Sequence, residues 1–140
     1  MRLLHDCDPG NDDALAILAA LGSPEIDLVA VTTGAGHLAA ECNARNAAIT
    51  LAAADAFETP VFAGAPGPLV RERLIARRLD GVDGLDRARA DLPAVPIETR
   101  RNSAQAIIDF AMSERDLVVA TPGPLTNLAL ALRLRPEIAD

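Results

Sequence analysis

Asp6, Asp8, Asp12 and Asp13 place four carboxylates within the eight residues Asp6-Cys7-Asp8-Pro9-Gly10-Asn11-Asp12-Asp13, out of 20 acidic residues in a chain of 140. Carboxylates this close repel one another and gain little as a plain surface feature. A bound divalent cation resolves the repulsion, and hard cations prefer oxygen ligands. The stretch therefore points first to a metal-dependent site. The competing explanation, helix-capping charge, suits Asp12 or Asp13 alone but not all four acids together.

The flanking residues supply the scaffold. Leu3-Leu4 precedes the acidic stretch and an apolar run, Ala14 to Leu21, follows it, so the acids sit where a buried strand turns into a helix. Side chains alternate along a strand, which puts Asp6 and Asp8 on one side at its carboxyl end. Pro9-Gly10 stops the strand, and Gly10 permits a tight turn. Asn11 or Asp12 can cap the helix, whose positive end favours ionised Asp12 and Asp13. In open α/β sheets, ligands bind beyond the carboxyl ends of the strands.

The rest of the chain alternates strand and helix. Residues 2–7 read as a buried strand and 12–21 as an amphipathic helix ended by Gly22-Ser23-Pro24. A second strand covers 27–33 and an Ala-rich helix 38–56. A short third strand spans 60–64, and 64–100 reads as a loop, with an Arg-rich helix possible over 70–79. A helix with Ser103 as its cap covers 103–114. A fourth strand spans 116–121, and a last helix starts near Leu125. This order predicts an α/β fold, an open, mostly parallel sheet with helices on both faces, in which 1–140 is the N-terminal portion of a single domain. The chain ends just after a helix and reads like the first part of something longer.

Composition narrows the function. All 13 basic residues are Arg, and the net charge of −7 disfavours a nucleic-acid partner. Cys7 and Cys42 read as free thiols in a reducing compartment. His5 and Cys7 make too small a soft-ligand set for zinc. No signal peptide or membrane-crossing apolar run is evident, so a cytoplasmic location is the default expectation.

The run Asp-Cys-Asp-Pro-Gly-Asn-Asp-Asp-Ala at 6–14, directly after a strand, resembles the N-terminal signature of the inosine-uridine-preferring nucleoside hydrolases. Thr32-Thr33, Arg45-Asn46-Ala47 and Gly-Pro-Leu-Thr-Asn at 123–127 resemble further parts of that family, in the same order, and Pro60-Val61 and the Gly64-Ala65 turn fit as well. The resemblance implies a Rossmann-like core and calcium-dependent cleavage of the N-glycosidic bond of ribonucleosides to ribose and free base. It implies that Asp8 binds calcium and takes a proton from the attacking water, that Asp13 is the second calcium carboxylate and that Asp12 binds ribose hydroxyls. Asp6 would support the site as an acceptor. A backbone carbonyl after the fourth strand would complete the near half of the metal shell: Pro122, or Thr121 if the turn carries an extra residue. The implied partner is a small nucleoside, and relatives are commonly homo-oligomers.

Three departures qualify the resemblance. Gly34-Ala35-Gly36-His37 stands where the family has an asparagine reaching the pocket. His37 could serve there as a polar contact or a leaving-group acid, or be a plain loop histidine. Asp80-Gly81 stands where many relatives have His-Gly. Family members also continue well beyond this length and supply a later calcium aspartate. Calcium takes six to eight oxygens, so Asp8, Asp13 and one carbonyl predict weak binding. Two alternatives follow. One is an inactive relative or interaction domain. The other is a phosphatase of the haloacid dehalogenase type, suggested by the Asp-x-Asp strand end and Thr32 or Thr33. Pro9-Gly10 and the lack of any Lys count against the phosphatase.

Overall fold

The computed structural model describes residues 1–74, 84–85 and 95–139. The elements run β1 (Arg2–Cys7), α1 (Asn11–Gly22), β2 (Asp27–Thr33), α2 (Ala40–Ala53), β3 (Val61–Ala63), β4 (Ile97–Glu98), α3 (Ser103–Ser113), β5 (Leu117–Ala120) and α4 (Thr126–Leu134), closed by a 3-10 turn at Pro136–Ala139. The five strands form one sheet in the order β4-β3-β2-β1-β5, and every pairing is parallel. The expected open α/β sheet is present.

Strand alternation builds a core on each face of the sheet. Leu3 and Cys7 of β1 pack on one face with Ile17 of α1 and Ala44, Ala47 and Leu51 of α2. Leu4 points the other way, into a cluster with Phe62 of β3, Ile107 of α3 and Ala131 of α4. Small residues on α2 let the helix sit close to the sheet: Ala40, Ala44 and Ala47 are almost wholly buried. The chain walks outward from β1 to β4 with α1 and α2 on one face. It then returns through α3 to β5 on the far side of β1, and α3 and α4 cover the other face. That reversal makes the gap between β1 and β5 the switch point of the sheet. The loops leaving these two strands diverge there and open a crevice at their carboxyl ends.

Three local expectations are corrected. Residues 97–98, expected to be loop, form β4, because Ile97 and Glu98 extend alongside Val61 and Phe62. Two residues are too short a run to show alternation. Helix α3 is capped by Asn102, not Ser103. The Asn102 side chain accepts from the Gln105 amide at 2.9 Å, while the buried Ser103 hydroxyl is engaged by Phe62 O at 2.9 Å and Thr33 O at 3.0 Å. Helix α1 begins at Asn11 with Gly10 at its N-cap and no side-chain cap bond, so neither Asn11 nor Asp12 caps it. Within the Arg-rich stretch, 70–74 is not helical; its remainder and Asp80-Gly81 lie outside the described residues.

Candidate active site

The β1–α1 turn brings Asp8 and Asp13 together. The Asp13 carboxylate reaches back from the first turn of α1 and accepts from the Asp8 amide at 3.0 Å through Oδ2. Asp13 is buried although it is a helix-start acid. Burial, then the nearby Asp12 and Asp8 charges, push its pKa up to about 6, against the bond from the Asp8 amide. Asp12 is exposed on the same turn.

The β2–α2 turn wraps around Asp8. His37 donates to Asp8 Oδ2 twice, from its backbone amide at 3.2 Å and from its ring at Nδ1, 3.0 Å away. A Cβ on Gly36 would overlap the Asp8 carboxylate, and one on Gly123 would lie 3.0 Å from Asp8 Oδ1. Glycine at both places lets two turns close on one side chain. With Oδ2 of each acid engaged, Asp8 Oδ1 and Asp13 Oδ1 carry no hydrogen bond among the described residues. Asp8, Gly36, His37, Pro122 and Gly123 line one cavity of about 440 Å³ at the switch point. Pro122 thus lies beside Asp8; the half-buried Thr121 does not line this cavity.

Asp6 sits one layer below. It is almost completely buried, and its Oδ1 accepts from the Thr32 hydroxyl at 2.8 Å and from Asn127 Nδ2 at 2.9 Å. Among the described residues its Oδ2 has no partner. Burial raises its pKa to about 6, the two hydrogen bonds oppose that, and Asp8 adds to it.

Composition and spacing gave no role to several buried amides that hold these turns. Asn127 also donates to Thr33 O at 3.0 Å and accepts from the Ala65 amide at 2.9 Å, so one side chain joins α4, β1, β2 and the turn after β3. Asn46 of α2 donates to Pro9 O at 2.9 Å, and Asn43 donates to Gly34 O at 2.8 Å. Asparagines inside an Ala-rich helix are the signal that could have marked them, since a buried amide needs partners that a helix interior does not supply.

The donors offered to a cation are all oxygen: the Asp8 and Asp13 carboxylates, with the Pro122 turn beside Asp8. Their chemistry fits a hard divalent ion. Their number falls short of a full shell, and among the described residues no three His, Cys, Asp or Glu side chains converge on one point.

Comparison with known proteins places the chain in a family. The family model for "Inosine-uridine preferring nucleoside hydrolase" matches residues 3–140. The chain is 38% identical over 143 aligned positions to the pyrimidine-specific ribonucleoside hydrolase RihA of Escherichia coli strain SMS-3-5, covering 99% of this chain and 44% of that protein. Among solved structures it resembles a purine-preferring ribonucleoside hydrolase from Gardnerella vaginalis (TM-score 0.85, 32% identity, 100% and 46% coverage). It also resembles the plant nucleoside hydrolase PpNRh1 (TM-score 0.86, 32% identity, 99% and 44% coverage). The chain spans less than half the length of these relatives. Over nearly all of its own length, it belongs to the inosine-uridine preferring nucleoside hydrolase family.

Proposed function

We propose that this chain carries the catalytic half-site of a calcium-dependent ribonucleoside hydrolase, which cleaves the N-glycosidic bond to give ribose and a free base. The observation that supports it most is the convergence of Asp8 and Asp13 at the switch point, with the Asp13 carboxylate 3.0 Å from the Asp8 amide and Pro122 in the same cavity as Asp8.

In this reading Asp8, Asp13 and the carbonyl of Pro122 (Thr121 if the turn is shifted) hold the cation. Calcium, when bound, would orient the ribose diol and acidify a water. Asp8 would accept the proton of the attacking water, a step typically contributing about 10²–10⁴-fold. Exposed Asp12 engages ribose hydroxyls. His37 contributes a polar contact at the pocket and steadies Asp8. Asp6 supports the strand end from below. The clustered carboxylates favour the cationic character that the sugar develops as the bond breaks. A cytoplasmic location and a homo-oligomer belong to the same proposal; cell fractionation and light scattering test them.

The deciding experiment measures ribose release from uridine and inosine with calcium and with chelator, alongside calcium titration by calorimetry. Calcium-dependent release supports the reading. Absence of both calcium binding and turnover would favour the interaction-domain alternative. Family membership displaces the phosphatase alternative.

A further inference from the structure

The cavity beside Asp8 has a second wall of opposite charge. Arg71 and Arg73 line it together with Asp8 and His37. Neither guanidinium pairs with a carboxylate among the described residues, and Arg73 Nη1 is buried without a hydrogen-bond partner. The nearest acid in the cavity, Asp8, is bonded to His37 instead. Two cations facing a cavity are an exception in a chain of net charge −7 with four aspartates between residues 6 and 13. A buried guanidinium nitrogen without an acceptor is costly, and an acceptor arriving with a ligand removes that cost. The guanidinium fork suits phosphate and carboxylate geometry, and about 440 Å³ falls within the ordinary range for a small-molecule pocket.

We infer that Arg71 and Arg73 form an anion subsite of this cavity, so that the preferred substrate is a ribonucleoside bearing an anionic substituent. This rests on the nucleoside hydrolase reading above. A 5′-phosphate and a carboxylate on the base are the two sources of that charge. Hydrolysis breaks the C1′–N bond, places the hydroxyl of water on C1′ and its proton on the leaving base. It releases ribose 5-phosphate in the first case and ribose in the second.

Calorimetric titration in calcium buffer with uridine, uridine 5′-monophosphate and orotidine tests it, on the wild-type chain, R71A/R73A and the charge-keeping R71K/R73K, with ribose and ribose 5-phosphate assayed in parallel. The expected result is at least tenfold tighter binding of one anionic ligand than of uridine, a ratio that falls toward one in R71A/R73A and is partly kept in R71K/R73K. Whichever anionic ligand gains identifies the source. Equal affinity for all three ligands overturns the inference, as does a preference that survives R71A/R73A, or binding of none. Uridine turnover without an anion preference leaves the hydrolase reading standing and removes only this subsite. An Arg-dependent anion preference without any turnover keeps the subsite and removes the hydrolase reading.

Discussion

Asp8 is the residue proposed to take the proton of the attacking water, and its surroundings explain why neighbouring residues cannot be exchanged freely. Its Oδ2 is held twice by His37, which leaves Oδ1 for ligand and water. Asp8→Asn or Asp13→Asn in an active form of the enzyme should abolish ribose release, with circular dichroism and melting close to wild type. Wild-type-like turnover in either variant would remove the assignment. His37→Ala should lower kcat by roughly tenfold, the lower end of what a positioned polar group contributes. His37→Asn supplies a side-chain amide donor in place of the ring Nδ1 and restores part of the rate. Steady-state kinetics on both variants reads this directly. Asp6 and Asp13 add a pH effect to the metal-free chain. Burial is the main cause that raises both from the ordinary 3.8 to about 6, so the folded state holds their protons more tightly than the unfolded chain. Their contribution to stability is present below about pH 4 and is lost as pH rises through 6. Melting temperature without metal should therefore fall across that window. Asp6→Asn should flatten the fall, and calcium should oppose it at pH 7.

At the scale of elements, the site depends on helices reaching under the strand ends. Asn127, in the first turn of α4, ties Asp6, Thr33 and Ala65 together. Asn127→Ala removes three hydrogen bonds and leaves the half-buried Ala65 amide without its acceptor, while Asp6 Oδ1 keeps the Thr32 hydroxyl and Thr33 O keeps Ser103; an unsatisfied group of this kind costs about 1–3 kcal/mol. Urea unfolding should show a loss in at least that range. Calcium affinity should drop as well, which truncation of an apolar core residue far from the site should not cause. Gly64 packs directly on the Asn127 amide, where any Cβ would overlap it. Ile107 of α3 is wholly buried against Leu4 and Phe62. It provides the control: Ile107→Ala should destabilise by about 2–5 kcal/mol and leave calcium affinity unchanged in the folded fraction.

The whole molecule joins the two halves of the chain at one crevice. β5 and the turn after it come from the last quarter of the sequence, yet a Cβ added at Gly123 would lie only 3.0 Å from the Asp8 amide nitrogen. Calcium binding should therefore stabilise the entire fold and not the β1–α1 turn alone. At tenfold excess over its Kd the gain is about 1.4 kcal/mol, a rise of a few degrees in Tm by calorimetry. A Tm unmoved by saturating calcium would show that the two carboxylates do not share an ion.

By itself the sequence determined the family, the alternation of strand and helix and the acidic turn. These are local signals: Asp6 to Asp13 is one continuous segment, and the apolar runs of β1, β2 and α1 repeat at their own periods. It did not reveal β4, which exists only because Val61 and Phe62 offer a partner. It misplaced the cap of α3, because the Ser103 hydroxyl is drawn to Thr33 and Phe62, about 70 and 41 positions away. The partners of the Asn43, Asn46 and Asn127 amides and the two hydrogen bonds from His37 to Asp8 were decided by tertiary structure. Each depends on which distant backbone or side chain the sheet order brings within about 3 Å, the usual hydrogen-bond distance. Periodicity along one segment carries no information about that.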